Sequence, residues 1–292
     1  MHPVSWESAP GFKCQTRSTS RVTRDNVVGF KDHRLSSVNP RNGRRISART
    51  VNDSDLVALK TIFGWAKANG KIGTNPAEGV TIKLGKQPQL RSKGFTIEEA
   101  EAILTAALNL SRAQEKPKTF AAKRWVPWLC AYTGARVGEL AQLRKEDIRH
   151  DGAHWIATIT PEAGTVKTNE ARDVVLHDHL EELGFMAFVK DATAGHLFLT
   201  PSASGAVLGP WRGVKNRIAE LVRTVVPDKN VAPSHGRRHR FKTVGIEAGI
   251  EHRILDAIQG HRPRNVAEGY GEVSIKAQAA AVAKLPRYKV SR

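Results

Sequence analysis

The stretch from Lys83 to Gly94 most constrains the fold, because it separates two helix-forming regions and holds few apolar side chains. Its Gly, Lys, Gln, Pro and Ser content is typical of a linker rather than of a packed element. A chain of 292 residues is long enough for two domains with cores of their own. The sequence therefore predicts a loosely ordered segment at residues 1–22, a first domain at 23–85, a linker at 86–94 and a second domain at 95–292.

The first domain has the apolar spacing of helices. A short helix is predicted from Thr23 to Ser37. A longer one begins with Ser47 as its N-terminal cap and continues to about Asn69, where Gly70 ends it. A turn-rich basic loop, residues 39–45, separates the two. We therefore expect a small helical unit with a basic rim.

The second domain combines helices with a hairpin. Alternating bulky and small residues predict strands at His154–Thr160 and Ala171–Leu176, and a short further strand at His196–Leu199. The predicted helices are those that begin at Thr96, Thr119, Arg136, Gly209, Ser234, Glu251 and Ser274. The fold class is thus mainly α with a small antiparallel β-sheet (α+β).

The charge of the chain points to a polyanionic partner. Lys and Arg number 46 against 28 for Asp and Glu, which gives a net charge of +18. Nucleic acid is the first candidate, since no apolar stretch is long enough for a membrane helix. The two cysteines, Cys14 and Cys130, make no disulfide framework, which fits a reducing cytosol.

A basic cluster at Ser234–Phe241 is the strongest candidate for an anion site. It holds arginines and histidines without a carboxylate and opens a predicted helix, whose N-terminus favours negative charge. His235 and Arg238 share one face of that helix. His235 and His239 also have the spacing of helical zinc ligands, but the neighbouring arginines would repel a cation. A phosphate is therefore the expected ligand.

Four further stretches carry residues suited to the same phosphate. They are Thr-Gly-x-Arg-x-x-Glu-Leu with Arg136, the hairpin with Lys167, the pair Gly260-His261, and the segment with Tyr270. Together with His235-x-x-Arg238, and in this order, these motifs resemble those of the tyrosine recombinases of the phage integrase family. The resemblance covers about residues 23–290, and it implies a SAM-like core-binding domain followed by a catalytic domain.

The resemblance implies a role for each residue of the predicted site. Tyr270 would be the nucleophile that forms a 3′-phosphotyrosine bond, and Lys167 the general acid for the departing 5′ oxygen. The other catalytic residues would hold the phosphate or assist proton transfer, and they are Arg136, Arg238, His235 and His261. Glu139, on the same helical face as Arg136, would orient an arginine or histidine.

Some assignments have rivals in the sequence. Lys190 and Lys215 are alternatives to Lys167 by residue type, and Tyr288 is an alternative to Tyr270. DNA contacts are predicted for Arg41, Arg44, Arg45 and Arg49 in and just after the 39–45 loop, and for Arg237 and Arg240 of the basic cluster.

The function that the resemblance implies is site-specific DNA recombination, for integration or excision of a prophage or other mobile element. The partners would be attachment-type double-stranded DNA, three further copies of the chain in a homotetramer, and accessory DNA-bending proteins. No cofactor and no metal are expected, and the location would be the cytoplasm, with the nucleoid. The alternatives are a decayed integrase that binds DNA without turnover and a nicking-closing enzyme similar to type IB topoisomerases. The first domain is expected to be shorter than the family's usual four helices.

Overall fold

The computed structural model describes residues 22–40, 42–85, 88–166, 169–262 and 271–291. The chain divides after Pro88 into two compact units, each with its own hydrophobic core. This division lies within the linker that the sequence predicts at residues 86–94.

The first unit is helical. Its elements are α1 (Arg24–Ser36), α2 (Ala48–Thr50), a π-helical segment (Val51–Leu56) and α3 (Val57–Ala68). Thr23 caps α1 by accepting a hydrogen bond from the backbone of Asn26, and Ser47 caps α2 in the same way from Thr50. The predicted second helix is therefore present, with a wider π turn inserted near its start.

The second unit is mainly helical, with one small sheet. Its helices are α4 (Ile97–Leu108), α5 (Pro117–Thr133), α6 (Val137–Ala141), α7 (Asp178–Glu182), α8 (Phe185–Asp191), α9 (Leu208–Val225), α10 (Gly236–Glu247), α11 (His252–Gln259) and α12 (Ile275–Val282). Its strands are β1 (Ile148–His150), β2 (Trp155–Ile159) and β3 (Arg172–Val175). Short 3-10 turns lie at Lys145–Asp147 and Pro161–Ala163. No helix in the described part of either unit is both long and apolar enough to cross a membrane.

Helix α5 is the centre of the second unit. It packs against α4, α6, α9 and α10. Its side chains from Trp125 to Thr133 are all buried, which accounts for a sequence that is apolar on every side rather than along one stripe. The helices that carry the basic residues are therefore positioned by their contacts with this buried helix.

The sheet is antiparallel, in the order β1-β2-β3. The predicted hairpin of β2 and β3 is present, with Ile156 opposite Val175 and Ile159 opposite Arg172. Strand β1 was not predicted, since it is too short to show an alternating pattern. The predicted strand at His196–Leu199 is wrong. That segment makes only a single bridge, between Arg144 and His196, and its apolar side chains are buried in the core.

Gly134 ends α5 in a left-handed conformation, with φ of +57°. A Cβ atom there would lie 2.6 Å from Nε2 of Gln259 and 2.7 Å from Cγ of Phe241. We expect Gly134→Ala to lower the free energy of unfolding by about 2–5 kcal/mol, the sum of backbone strain and overpacking. Urea denaturation would measure the change. The control is Gly152→Ala, where φ is +94° but no atom lies within 4 Å. Equal losses in the two variants would contradict the packing argument.

Candidate active site

A buried carboxylate joins two arginines at the start of α6. Oε1 of Glu139 accepts a hydrogen bond of 2.7 Å from Nη1 of Arg136, and Oε2 accepts one of 2.6 Å from Nη2 of Arg172. Burial alone would raise the pKa of Glu139, but the two arginines together hold that pKa below its ordinary value. The carboxyl is therefore ionised, and the triad keeps one net positive charge.

Arg238 approaches the same region from α10. Its Nη1 donates to the carbonyl oxygens of Gly134 and Gln259, at 2.7 Å each. Its Nη2 is buried and has no hydrogen-bond partner among the described residues. Burial and the nearby charge of Arg136 lower the pKa of Arg238 to about 10, so the guanidinium stays charged at neutral pH. Arg238 is thus held by Nη1, while Nη2 has no acceptor in the described part of the chain.

The C-terminal end of α11 brings the arginines together. The Gln259 carbonyl that binds Arg238 also accepts a hydrogen bond of 3.3 Å from Arg172, and the Gly260 carbonyl accepts one of 3.4 Å from Arg136. These are carbonyls at the negative end of a helix, which attracts cations. Gly260 is left-handed, and a Cβ there would lie 2.6 Å from Nη1 of Arg172. A side chain at this position would strain the backbone and displace the Arg172 guanidinium from its contacts.

His261 follows directly on this helix end. Its Nδ1 lies 2.8 Å from Oδ1 of Asp256, which also accepts a hydrogen bond of 2.6 Å from Lys242. Burial raises the pKa of Asp256, but its hydrogen bonds from Lys242 and His261 bring that pKa below its ordinary value. The ionised carboxylate fixes a proton on Nδ1 and orients the ring, so that Nε2 is the nitrogen available to a substrate.

His235 precedes α10 and is exposed. The pKa of the neighbouring His239 is lowered by partial burial and by the positive charges of Lys93, His235, Arg238 and His261. His235 is the residue before α10, and Arg238 lies in the first turn of that helix. His235 is therefore in the same basic neighbourhood as Arg238 and His261.

Lys167 and Tyr270 lie outside the described residues. The described residues beside them are anchored to the rest of the unit. The N–H of Thr165 donates to Oε1 of Gln142 at 2.7 Å, and the carbonyl of Gly271 accepts a hydrogen bond of 2.6 Å from Nη2 of Arg253. The roles predicted for Lys167 and Tyr270 remain predictions.

The residues named as alternatives to Lys167 and Tyr270 contact other side chains or are buried. The ammonium groups of Lys190 and Lys215 lie over the rings of Trp155 and Trp211, at 5.4 and 5.7 Å from the ring centres. The side chain of Tyr288 is only 6% exposed, and burial raises the pKa of its hydroxyl. A buried phenol with a raised pKa is a poor nucleophile for a phosphate on bound DNA.

The predicted DNA contacts differ in exposure. Arg44 and Arg45 are exposed, and Arg49 is exposed beside Asp53, at 3.8 Å. Arg41 lies outside the described residues. Arg237 is only 4% exposed, and its predicted contact with DNA stays a prediction. Arg240 is half-buried, and its side chain interacts with the hydroxyl of Tyr288.

Arg172, Asp256 and the backbone of Gln259 are not among the site residues predicted from the sequence. Arg172 lies in a strand with no motif around it, and only the pairing of β3 with β2 and its approach to α11 bring it to Glu139. Asp256 had a signal in the sequence, because it lies one turn before the end of the helix that His261 follows.

The fold and the site define a helical domain with a small sheet that concentrates guanidinium groups and a histidine for an oxyanion such as phosphate. In the described part of the chain, no group of three or more His, Cys, Asp or Glu side chains could hold a metal ion. Residues 94–276, more than half of the chain, match the profile of the phage integrase family, and the chain belongs to that family.

Individual relatives and solved structures agree with this assignment. The chain is 27% identical to the shufflon-specific DNA recombinase of Escherichia coli, over 87% of this chain and 59% of the relative. It is 25% identical to the tyrosine recombinase XerC of Mycobacterium bovis (strain BCG / Pasteur 1173P2), over 78% of this chain and 74% of that protein. A lambda integrase (75–356) dimer bound to a COC′ core site has a similar fold, with a TM-score of 0.56 and 16% identity over 88% of this chain and 82% of the integrase chain.

The Glu139 carboxylate should be among the most important groups for stability in this site. We expect Glu139→Ala to lower the free energy of unfolding by about 3–5 kcal/mol, because it removes a buried carboxylate and leaves the half-buried Arg136 and Arg172 without their counter-ion. Urea denaturation at neutral pH would measure the loss. The control is Glu162→Ala, whose exposed carboxylate lies 3.5 Å from Arg144 and whose removal should change stability by less than about 0.5 kcal/mol. A loss of stability for Glu139→Ala of less than about 1 kcal/mol, similar to that of the control, would show that Glu139 is not the counter-ion.

Proposed function

We propose that the chain is a site-specific DNA recombinase that cuts and rejoins DNA through a 3′-phosphotyrosine bond. The observation that carries this proposal is the convergence of Arg136, Arg172 and Arg238 around one carboxylate and one helix end. The excess positive charge favours an anion, and Nη2 of Arg238 lacks an acceptor among the described residues. The net charge of +18 favours a DNA backbone as the source of that anion.

The proposed first step is attack by the Tyr270 hydroxyl oxygen on a DNA phosphorus. The new O–P bond forms as the bond to the 5′ oxygen breaks, and Lys167 gives that oxygen its proton. Arg136 and Arg238 donate to the nonbridging oxygens as their charge develops. His261, oriented by Asp256, supplies a further contact to the phosphate, and His235 assists removal of the tyrosine proton.

The second step reverses the first with a different strand. A 5′ hydroxyl attacks the phosphotyrosine, the bond to Tyr270 breaks, and DNA is rejoined. The phosphodiester energy is kept in the covalent bond, so that no nucleotide is consumed.

The biological setting belongs to the same proposal. The enzyme would act in the cytoplasm, on the nucleoid, during integration or excision of a prophage or other mobile element. A homotetramer on attachment-type DNA, with accessory DNA-bending proteins, is the assembly that the resemblance to tyrosine recombinases implies. The exposed Arg44, Arg45 and Arg49 of the first unit are available for phosphate contacts.

A nicked suicide substrate tests the chemistry. The DNA should carry the repeats that flank the coding region, with a nick that lets the cleaved 5′ end diffuse away. We expect a covalent protein–DNA adduct that resists denaturant. Binding without an adduct on any such DNA would favour an integrase that has lost turnover. Relaxation of supercoils without recombination between paired sites would favour a nicking-closing enzyme.

A further inference from the structure

His261 is joined to a single residue at two points. Its backbone N–H donates to the carbonyl oxygen of Asp256 at 2.9 Å, and its Nδ1 lies 2.8 Å from Oδ1 of the same residue. The side chain of Asp256 is 17% exposed, whereas that of His261 is 42% exposed. The imidazole is therefore held at Nδ1 by a mostly covered carboxylate, while part of the ring remains open to solvent.

Lys242 holds that carboxylate from the neighbouring helix. Its Nζ donates to Oδ1 of Asp256 at 2.6 Å and to the carbonyl oxygen of His252, the first residue of α11, at 3.3 Å. Lys242 follows Arg238 by four residues on the same face of α10, and Arg238 donates to the carbonyl of Gln259, the last residue of α11. One face of α10 therefore holds α11 at its first and its last residue.

The charge of Asp256 decides which nitrogen of His261 carries the proton. An ionised carboxylate only accepts hydrogen bonds, so the contact of 2.8 Å requires a proton on Nδ1. A neutral imidazole has one N–H, and its Nε2 is then an acceptor. The nonbridging oxygens of a phosphate diester are acceptors as well, so a neutral ring in this orientation would repel them. His261 can donate to a phosphate only as an imidazolium, with a proton on each nitrogen.

The surrounding charges oppose that second proton in the DNA-free chain. Burial lowers the pKa of His261, the hydrogen bond to Asp256 raises it, and the positive charges of Arg238 and Lys242 lower it further. The pKa is below its ordinary value, so the ring is neutral at about pH 7. The charged and titratable groups of the described residues that face His261 or the helix end beside it are Asp256 of α11, Arg238, His239 and Lys242 of α10, Arg136 at the start of α6 and Arg172 of β3.

We propose that His261 takes up a proton from solvent when a DNA phosphate binds, and that Asp256 and Lys242 are positioning residues for this step. The inference rests on the proposed function, because the phosphate is that of the DNA to be cleaved. The proton adds to Nε2, and the imidazolium then donates to a nonbridging oxygen without any other bond being formed or broken. Asp256 supplies negative charge behind the ring, and Lys242 keeps the carboxylate ionised and in contact with Nδ1.

Proton uptake gives DNA binding a pH dependence of defined sign. The pKa of His261 is higher in the complex than in the free chain, so a lower pH favours binding. This contribution is complete below the pKa of the free chain and is lost as the pH rises through the pKa of the complex. A general base at this position would give the opposite sign, since a base acts in its unprotonated form.

Nuclear magnetic resonance of the full chain with isotope-labelled histidine tests the positioning without DNA. The His261 signal is assigned by its loss in His261→Gln, and we expect the neutral ring to carry its proton on Nδ1. Asp256→Asn should lower the pKa of His261, and Lys242→Met should raise it. Both variants weaken the same ion pair between α10 and α11, so a purely structural effect would shift the pKa in one direction. A neutral native ring with its proton on Nε2, or shifts of the same sign, would overturn the proposal.

Titration calorimetry in buffers of different ionisation enthalpy measures the proton uptake. The titrated protein is Tyr270→Phe, which should bind the duplex with the flanking repeats without cleaving it. We expect His261 to take up as much as about one proton per bound phosphate near neutral pH. Adding Asp256→Asn should reduce the uptake, whereas Asp191→Asn, the same change at an exposed position, should not. Uptake that is unchanged when His261→Gln is added contradicts the proposal.

Single-turnover cleavage links the proton to the rate. Asp256→Asn should slow cleavage by about 10- to 100-fold at neutral pH, the effect of losing one charge-assisted hydrogen bond. It should have no further effect in a chain that already carries His261→Gln, because it acts only through that ring. A native chain that forms no adduct with any DNA would contradict the proposed function and this inference with it. An adduct without proton uptake at His261 would contradict this inference alone.

Discussion

Tyr270→Phe should abolish the covalent DNA adduct and leave DNA affinity within about twofold of the native value. The variant lacks only the oxygen that forms the new bond to phosphorus, so no residual rate of the same reaction is expected. The measurement is denaturing electrophoresis of the trapped adduct on a suicide substrate, with a gel-shift assay for binding. An adduct formed by Tyr270→Phe would exclude Tyr270 as the nucleophile.

The other tyrosines provide matched controls. The chain has three tyrosines, and Tyr132 and Tyr288 are 1% and 6% exposed. The hydroxyl of Tyr132 lies 2.7 Å from Nδ1 of His179, and burial raises its pKa. Tyr132→Phe and Tyr288→Phe should both keep the adduct, with a loss of stability of about 1 kcal/mol for each hydrogen bond removed. Loss of the adduct in Tyr288→Phe alone would identify Tyr288 as the nucleophile.

Arg238→Ala should lower the rate of DNA cleavage by about 100- to 1000-fold, the usual effect of removing one preorganised donor to a developing oxyanion. Its Nη1 is held by the carbonyls of Gly134 and Gln259, at 2.7 Å each, so the group needs no reorganisation when the phosphate becomes more negative. Arg238→Lys should recover little of the rate, because an ammonium cannot bind both carbonyls and also present a second nitrogen.

Single-turnover cleavage at saturating enzyme would measure the effect of Arg238→Ala without a contribution from binding. The variant also loses buried hydrogen bonds, with a cost of about 1–3 kcal/mol in stability, so urea denaturation must show that it is folded under the assay conditions. Arg212→Ala, at an exposed position of the same unit, is the control and should cleave at the native rate. A rate for Arg238→Ala within about threefold of the native rate would remove Arg238 from the proposed mechanism.

The sequence predicted the fold best where an element depends on residues that are close together in the chain. The caps at Thr23, Ser47 and Thr96, and the alternation in the β2–β3 hairpin, come from interactions between near neighbours in the chain. These interactions are visible as residue types at fixed spacing. The predicted strand at His196–Leu199 failed because an apolar run of that length is equally suited to a buried irregular segment.

The residues of the site also divide into those that short motifs predict and those that only tertiary contacts bring together. The sequence by itself determined the class of chemistry, because the motifs with Arg136, His235, Arg238 and His261 are short and follow in a recognisable order. The association of Arg172 with Glu139 links strand β3 to helix α6, and no local pattern encodes that contact.

Tertiary structure alone decided which basic residues are available for a ligand. Arg237 and Arg238 are adjacent in the sequence and chemically identical, yet α10 buries the first beside Cys130 and places the second at the end of α11. The reason is helical geometry, since successive residues on a helix point about 100° apart and meet different neighbours. The residue types determined that an anion would be bound, and the packing of α10 determined which arginine lies beside the other basic groups.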